Sequence, residues 1–205
     1  MDNVKWLFFD VGSTLVSEEK PLTHRIHEIA EAVNEPYEVL QDKVLQLYKE
    51  KKKGERVLIQ AYGMEKPCWH REEEELFPES YMCLEQLSKK YKIGVIANQS
   101  LGTADRLEKH GVLKFIDLVI ASAEEGVEKP DKKIFEIALS RAGCKPENAV
   151  MIGDRVDNDI IPAKKMGMKT IRVKQGMWKY WEACCEQEQA DYEVDNLGEV
   201  LELFC

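Results

Sequence analysis

Residues 6–15 read WLFFDVGSTL. Four apolar residues run directly into Asp10, small residues follow at Gly12, Ser13 and Thr14, and the chain turns apolar again at Leu15. A carboxylate at the end of a buried strand costs desolvation free energy unless it is paired or coordinates a cation. In an open parallel sheet, the strand ends at that edge are where ligands bind. Asp10 is therefore either a site residue or the start of a turn or helix cap, and the rest of the chain decides which.

Working outward, VKWLFF (4–9) is the first of several short apolar runs. IGVIA (93–97), DLVIA (117–121), AVMIG (149–153) and KTIRV (169–173) follow. Such runs suit strands buried on both faces of a parallel sheet. Helical patterns lie between them at 79–91, 102–110, 131–143 and 157–167. Gly111, Gly143 and Gly167 stand where those helices need a left-handed terminal residue. Asn196, with Glu199 three positions on, suits the cap of a last helix. The alternation predicts an α/β fold with a doubly wound, Rossmann-like parallel sheet core.

One segment breaks the alternation. Residues 17–77 contain no convincing strand. Apolar residues at threes and fours predict helices at 22–33 and 39–53, with a shorter one near 55–62. Pro36 separates the first two, and Pro67 and Pro78 punctuate the return to the sheet. The expected organisation is a core of residues 1–16 and 78–205 with an all-helical cap, 17–77, over the edge that carries Asp10. Trp178, Tyr180 and Trp181 are expected to pack against the last helix. Exposed, they would suit a contact between two copies, so a monomer or homodimer is expected.

Composition narrows the function classes. With 205 residues, 44% hydrophobic and 33% charged, the chain can build one sizeable core and a smaller lobe. The net charge is −9, and Glu50 and Glu55 dilute the densest basic run, KEKKKGER (49–56). That run reads as a solvated helix end, and bulk nucleic-acid binding is disfavoured. The first residues do not read as a signal peptide, and no run approaches the roughly 18 apolar residues of a membrane span. Cys68, Cys83, Cys144, Cys184, Cys185 and Cys205 form no CxxC or Cys/His zinc pattern. They suit reduced thiols of a cytoplasmic protein.

Each predicted strand ends in polar or small residues. IGVIA runs into Asn98-Gln99-Ser100, DLVIA leads to Lys129, and AVMIG leads to Asp154 in GDRVDND. In a parallel sheet these ends converge, gathering Asp10, Asn98, Lys129, Asp154 and a second acid from Asp157 or Asp159. Asp10 and Asp154 with a backbone carbonyl make an all-oxygen site suited to Mg²⁺. A lysine beside them offsets charge and can contact phosphate. Backbone N–H groups after Asp10 can cradle phosphate oxygens, and a carboxylate can attack phosphorus to give an aspartyl-phosphate.

Taken together, these segments resemble the haloacid dehalogenase-like (HAD) hydrolases that carry a helical cap after the first motif. Asp10 with Thr14 is similar to the first motif, Asp-x-Asp-x-Thr. VIANQS is similar to the second-motif region, Lys129 in EKPDKKIF to the third and GDRVDND to the fourth, and the resemblance covers nearly the whole chain. It implies Asp10 as nucleophile and Mg²⁺ ligand, Lys129 as its partner, and Thr14 as the residue that orients the loop. It also implies Gly12 (through its carbonyl), Asp154 and Asp159 around the metal, with Asp159 the outer acid. Ser13, Asn98 and Gln99 become phosphate-binding candidates. The expected substrate is a small phosphorylated metabolite, with no nucleic acid or membrane partner.

Two positions depart from the pattern. Gly12 replaces the second Asp, which in family phosphatases is the general acid/base, a role worth roughly 10² to 10⁴-fold. Ala97 replaces the usual Ser or Thr that hydrogen-bonds the phosphoryl oxygen. These departures fit a slow phosphatase, a catalytically silent binding or regulatory protein, or a relative with other chemistry. A dehalogenase-type relative is one such case. A phosphonate-cleaving relative is another, and it would draw on Lys43, Lys49 or Lys66.

Overall fold

The computed structural model describes residues 3–204, so Cys205 and the first two residues of the expected core lie outside it. In chain order the elements begin with β1 (Trp6–Phe9), β2 (Val16–Ser17), α1 (Glu19–Val33), α2 (Tyr37–Lys49), α3 (Gly54–Ala61) and β3 (Glu75–Leu76). Then come α4 (Ser80–Leu87), β4 (Lys92–Ala97), α5 (Thr103–Lys109), β5 (Leu118–Ala121), α6 (Ser122–Glu125) and α7 (Lys132–Ala142). The chain closes with β6 (Ala149–Gly153), α8 (Ile161–Met166), β7 (Lys169–Val173), β8 (Tyr192–Val194) and α9 (Leu197–Glu202).

Six strands form one parallel sheet in the order β5-β4-β1-β6-β7-β8. Successive side chains of a strand face opposite sides, and β1 shows the consequence. Leu7 and Phe9 join a core layer with Leu84, Leu87 and Val200, while Phe8 joins the other layer with Phe135, Leu139 and Ala163. Helices therefore cover both faces, as the continuous apolar runs predict. After β1 the chain first builds β4 and β5 on one side and then returns to β6 on the other. The reversal falls beside β1, which places Asp10 where such sheets open a crevice. Gly111, Gly143 and Gly167 adopt φ of 73°, 58° and 86° at the helix ends, as expected.

Several expectations need correction. The segment 17–77 is not free of strand: β2 and β3 pair antiparallel, Val16 with Leu76 and Ser17 with Glu75. This ribbon ties the two ends of the helical insert together. The helix expected over 157–167 begins as one π turn at Val156–Ile160 before α8. Strand β8 is an addition at the sheet edge.

The aromatic stretch does not pack on α9. Trp178 and Trp181 belong to the hydrophobic cluster of the insert, with Ile29, Leu40, Val44 and Leu58. The Tyr48 ring meets Trp178 edge-on at 4.8 Å between centroids. The cause is Arg172 on β7, whose buried guanidinium donates to the carbonyls of Trp178 (3.0 Å) and Trp181 (2.7 Å). Those bonds satisfy buried carbonyls and turn the indoles away from the sheet and into the insert. The Arg155 guanidinium stacks over Trp178 at 4.4 Å. Trp178→Ala should therefore cost about 3–5 kcal/mol of stability, the usual range for a buried large aromatic. Urea denaturation measures it, and a loss below about 0.5 kcal/mol, normal for a surface site, would contradict this packing.

Candidate active site

The C-terminal ends of β1, β4 and β6 lie side by side, and their residues meet around one buried ammonium. Lys129 Nζ donates to Asp10 Oδ1 at 2.8 Å, to Asp159 Oδ1 at 2.6 Å and to the Ile96 carbonyl at 2.8 Å. All three ammonium hydrogens are thus engaged. The side chains of Lys129 and Asp159 are 1% and 0% exposed, while Asp10 retains 11%, so of these three it is the one a ligand can reach. Burial works against charge on Lys129, but the Asp10 and Asp159 carboxylates outweigh it and raise its proton affinity.

Asp159 is further held by the Arg155 backbone N–H on Oδ2 at 3.0 Å. A Cβ on Gly153 would overlap the Asp159 carboxylate, so only glycine lets β6 end so close to it. Burial pushes Asp159 up to about 6 against the pull of Lys129. Asp157, the other acid considered at this place, turns away and pairs with Arg155 through both oxygens, 3.0 Å to Nε and 2.5 Å to Nη2.

Asp154 is buried and accepts from the Thr14 hydroxyl on Oδ1 at 3.4 Å. Its Oδ2 is buried with no hydrogen-bond partner. Burial, then the Asp10 and Asp159 charges, push its proton affinity well above the usual carboxylate range. Oxygens of Asp10, Asp154 and Asp159 all lie within 4.8 Å of one another. Three buried carboxylates against one ammonium leave excess negative charge, and an unpaired buried carboxylate oxygen is costly. An all-oxygen set of this kind fits a hard divalent cation.

The loop after Asp10 folds on itself. The Val11 carbonyl accepts from the N–H groups of Thr14, Leu15 and Val16 at 3.3, 2.9 and 2.9 Å. Among the described residues the N–H groups of Val11 and Gly12 have no protein acceptor. The side chains named as phosphate-binding candidates are otherwise occupied. Asn98 clasps the Lys129 backbone, donating to its carbonyl at 2.8 Å and accepting from its N–H at 2.7 Å. Gln99 accepts from Arg106 at 3.2 Å, and the Ser13 hydroxyl donates to Glu18 Oε2 at 3.0 Å. Ala97 is fully buried and brings no polar group.

Glu18 was not visible as a site residue. It sits half-buried between β2 and α1, and burial raises its proton affinity against the opposing pull of Lys53. No pattern sets it apart from the exposed Glu19 beside it. A cavity of about 550 Å³ opens between the insert and the sheet edge, lined by Ser13, Glu18, Lys53, Glu55, Lys174 and Lys179 among others. A larger depression of about 1000 Å³ near His24, His27 and Glu73 lies on the insert and touches none of the strand-end residues. Lys43 is held by Glu35 at 2.6 Å in an exposed pair.

A family profile for haloacid dehalogenase-like hydrolases matches residues 4–167, and the chain belongs to that family. Glyceraldehyde 3-phosphate phosphatase of Methanocaldococcus jannaschii is 39% identical over 113 residues, 55% of this chain and 48% of that protein. The protein of the same name from Methanopyrus kandleri is 36% identical over 129 residues, 62% of this chain and 55% of that protein. The chain spans about half the length of these curated relatives. Among solved structures, the putative HAD-hydrolase YfnB from Bacillus subtilis, bound to magnesium, superposes with a TM-score of 0.74. It covers 98% of this chain and 99% of that one at 19% identity, a likeness of fold.

Removing the ammonium tests the electrostatics of the site. Lys129→Met leaves buried carboxylates uncompensated and should lose about 3–5 kcal/mol in urea unfolding at neutral pH. An unchanged stability would mean that water already reaches these carboxylates.

Proposed function

We propose that this protein is a Mg²⁺-dependent phosphatase that hydrolyses a small phosphomonoester by way of a phosphoryl group carried on Asp10. The observation that carries the reading is the buried cluster itself: a reachable carboxylate held by a lysine, beside a second carboxylate with an unpartnered buried oxygen. Asp10 Oδ1 is oriented by Lys129, so Oδ2 forms the bond to phosphorus as the bond to the leaving oxygen breaks. Lys129 offsets the charge of the nucleophile and of the phosphoryl group. Val11 and Gly12 offer N–H donors to phosphoryl oxygens. Asp159 and Asn98 are positioning residues that fix the Lys129 ammonium and backbone. Water then attacks the aspartyl-phosphate and regenerates the Asp10 carboxylate.

Asp10, Asp154 and the Gly12 carbonyl would hold Mg²⁺, which supplies positive charge against the phosphoryl oxygens. The insert, residues 17–77, acts as the cap that closes over Asp10 and shapes the substrate cavity. A cavity of about 550 Å³ suits a small metabolite, and its lining sets Lys53, Lys174 and Lys179 beside Glu18, Glu19, Asp42 and Glu55, a mixed surface for a polar phosphorylated molecule. The relatives named glyceraldehyde 3-phosphate phosphatase support a substrate of triose-phosphate size.

Hydrolysis of p-nitrophenyl phosphate and glyceraldehyde 3-phosphate, with and without Mg²⁺, tests the reading. Asp10→Asn should lower kcat/KM by roughly three orders of magnitude or more, and Asp154→Asn should lose the Mg²⁺ dependence. Wild-type rates in Asp10→Asn would overturn the proposal and favour a phosphate-binding protein on the same scaffold.

A further inference from the structure

The chemistry above requires a proton that none of its named groups is free to give. Expelling an alkoxide from phosphorus needs an acid, and the attack of water needs a base. Asp10 is the nucleophile. Lys129 has every ammonium hydrogen bonded, and both oxygens of Asp159 accept from protein donors. Asp154 is committed by the same reading to the cation, within the carboxylate cluster and bonded to Thr14. Among the described acids that line the cavity, Glu18 is the one beside the Asp10 loop.

Its position is specific. A Cβ built on Gly12 would lie 2.8 Å from the Glu18 carboxyl carbon and 2.9 Å from each of its oxygens. The Glu18 carboxylate thus fills the volume into which a side chain at position 12 would project. The Ser13 hydroxyl holds Oε2 at 3.0 Å, and Oε1 has no protein partner among the described residues. Gly12 needs no left-handed conformation, so the glycine here is a matter of space.

We propose that Glu18 is the catalytic proton donor and acceptor of this enzyme, supplied from the head of α1 in place of a side chain at position 12. The inference rests on the phosphatase reading of the same site. In the first step Glu18 is protonated and gives its proton to the leaving oxygen as that oxygen parts from phosphorus and Asp10 bonds to it. In the second step the Glu18 carboxylate takes a proton from water as the water oxygen bonds to phosphorus. The Asp10–phosphorus bond breaks, inorganic phosphate leaves, and Glu18 is protonated again. Because Glu18 precedes α1, the acid travels with the helical insert rather than with the sheet.

The test compares leaving groups. Acetate leaves phosphorus without a proton, whereas an alkoxide does not, so acetyl phosphate and glycerol 3-phosphate separate the acid from the rest of the machinery. Glu18→Gln should lose roughly 10² to 10⁴-fold in kcat/KM on glycerol 3-phosphate and much less on acetyl phosphate. Gly12→Asp/Glu18→Ala moves the carboxylate back to position 12 and should recover at least about tenfold over Glu18→Ala on glycerol 3-phosphate. A merely structural Glu18 would give equal losses on both substrates and no recovery, and either result overturns the proposal. If wild type hydrolyses both substrates through Asp10 but Glu18→Gln matches it, the acid assignment fails and the phosphatase reading stands. A wild type inert on both substrates sinks both.

Discussion

One buried ammonium organises this molecule. Lys129 comes from a loop after β5, yet its Nζ lies among groups from β1, β4 and the turn after β6. Each of those groups is useless to it unless the strands stand in the observed order. The parallel order puts the ends of β4, β1 and β6 next to one another, and the Ile96 carbonyl, Asp10 and Asp159 then converge on one point. Removing a charge from water costs several kcal/mol, so the arrangement persists only because every hydrogen of the ammonium is matched. Asn98 completes the constraint by clasping the Lys129 backbone. Ala97 brings no hydroxyl to the end of β4, and the residue after it acts through the lysine.

The same ammonium leaves the site short of positive charge. Its two carboxylate partners are joined by Asp154, whose unpaired oxygen lies in the interior. On the phosphatase reading proposed above, this unpaired oxygen beside a reachable aspartate suits a divalent cation together with a phosphate group. The helical insert completes the environment from above. Trp178 and Trp181, fixed to β7 by Arg172, form part of the insert's own hydrophobic cluster. The insert and the sheet edge therefore share a packed contact beside the cavity as well as the two-stranded ribbon of β2 and β3.

The sequence was most informative where one physical signal acted alone. Lys129 lies in the loop beyond β5 and α6 and stood out only as a member of the strand-end series. Asp10 and Asp154, by contrast, each directly follow an apolar run, and a charge at the end of such a run demands an explanation. The five long strands were legible for the same reason. The ribbon was not, because two residues per strand hold no period, and β8 was not, because only Val194 of its three residues is buried. The sequence could not show which protein groups Asn98 and Gln99 bond, because an amide after a strand looks the same whether it meets phosphate or protein. Their partners lie 31 and 7 residues away. Trp178 was misplaced because Arg172, which turns it, acts through backbone carbonyls. Glu18 had no signature at all: only the folded chain shows its carboxyl in the space left by Gly12.

The most direct test of the account is to trap the protein during turnover. Acid quenching with acetyl phosphate and Mg²⁺, followed by peptide mass spectrometry, would locate any phosphoryl group on the chain. The account predicts a phosphoryl group on Asp10 that hydroxylamine removes, as expected of an acyl phosphate. Turnover with no protein-bound phosphate at any quench time, or with the phosphoryl group on another residue such as Ser13, would contradict it.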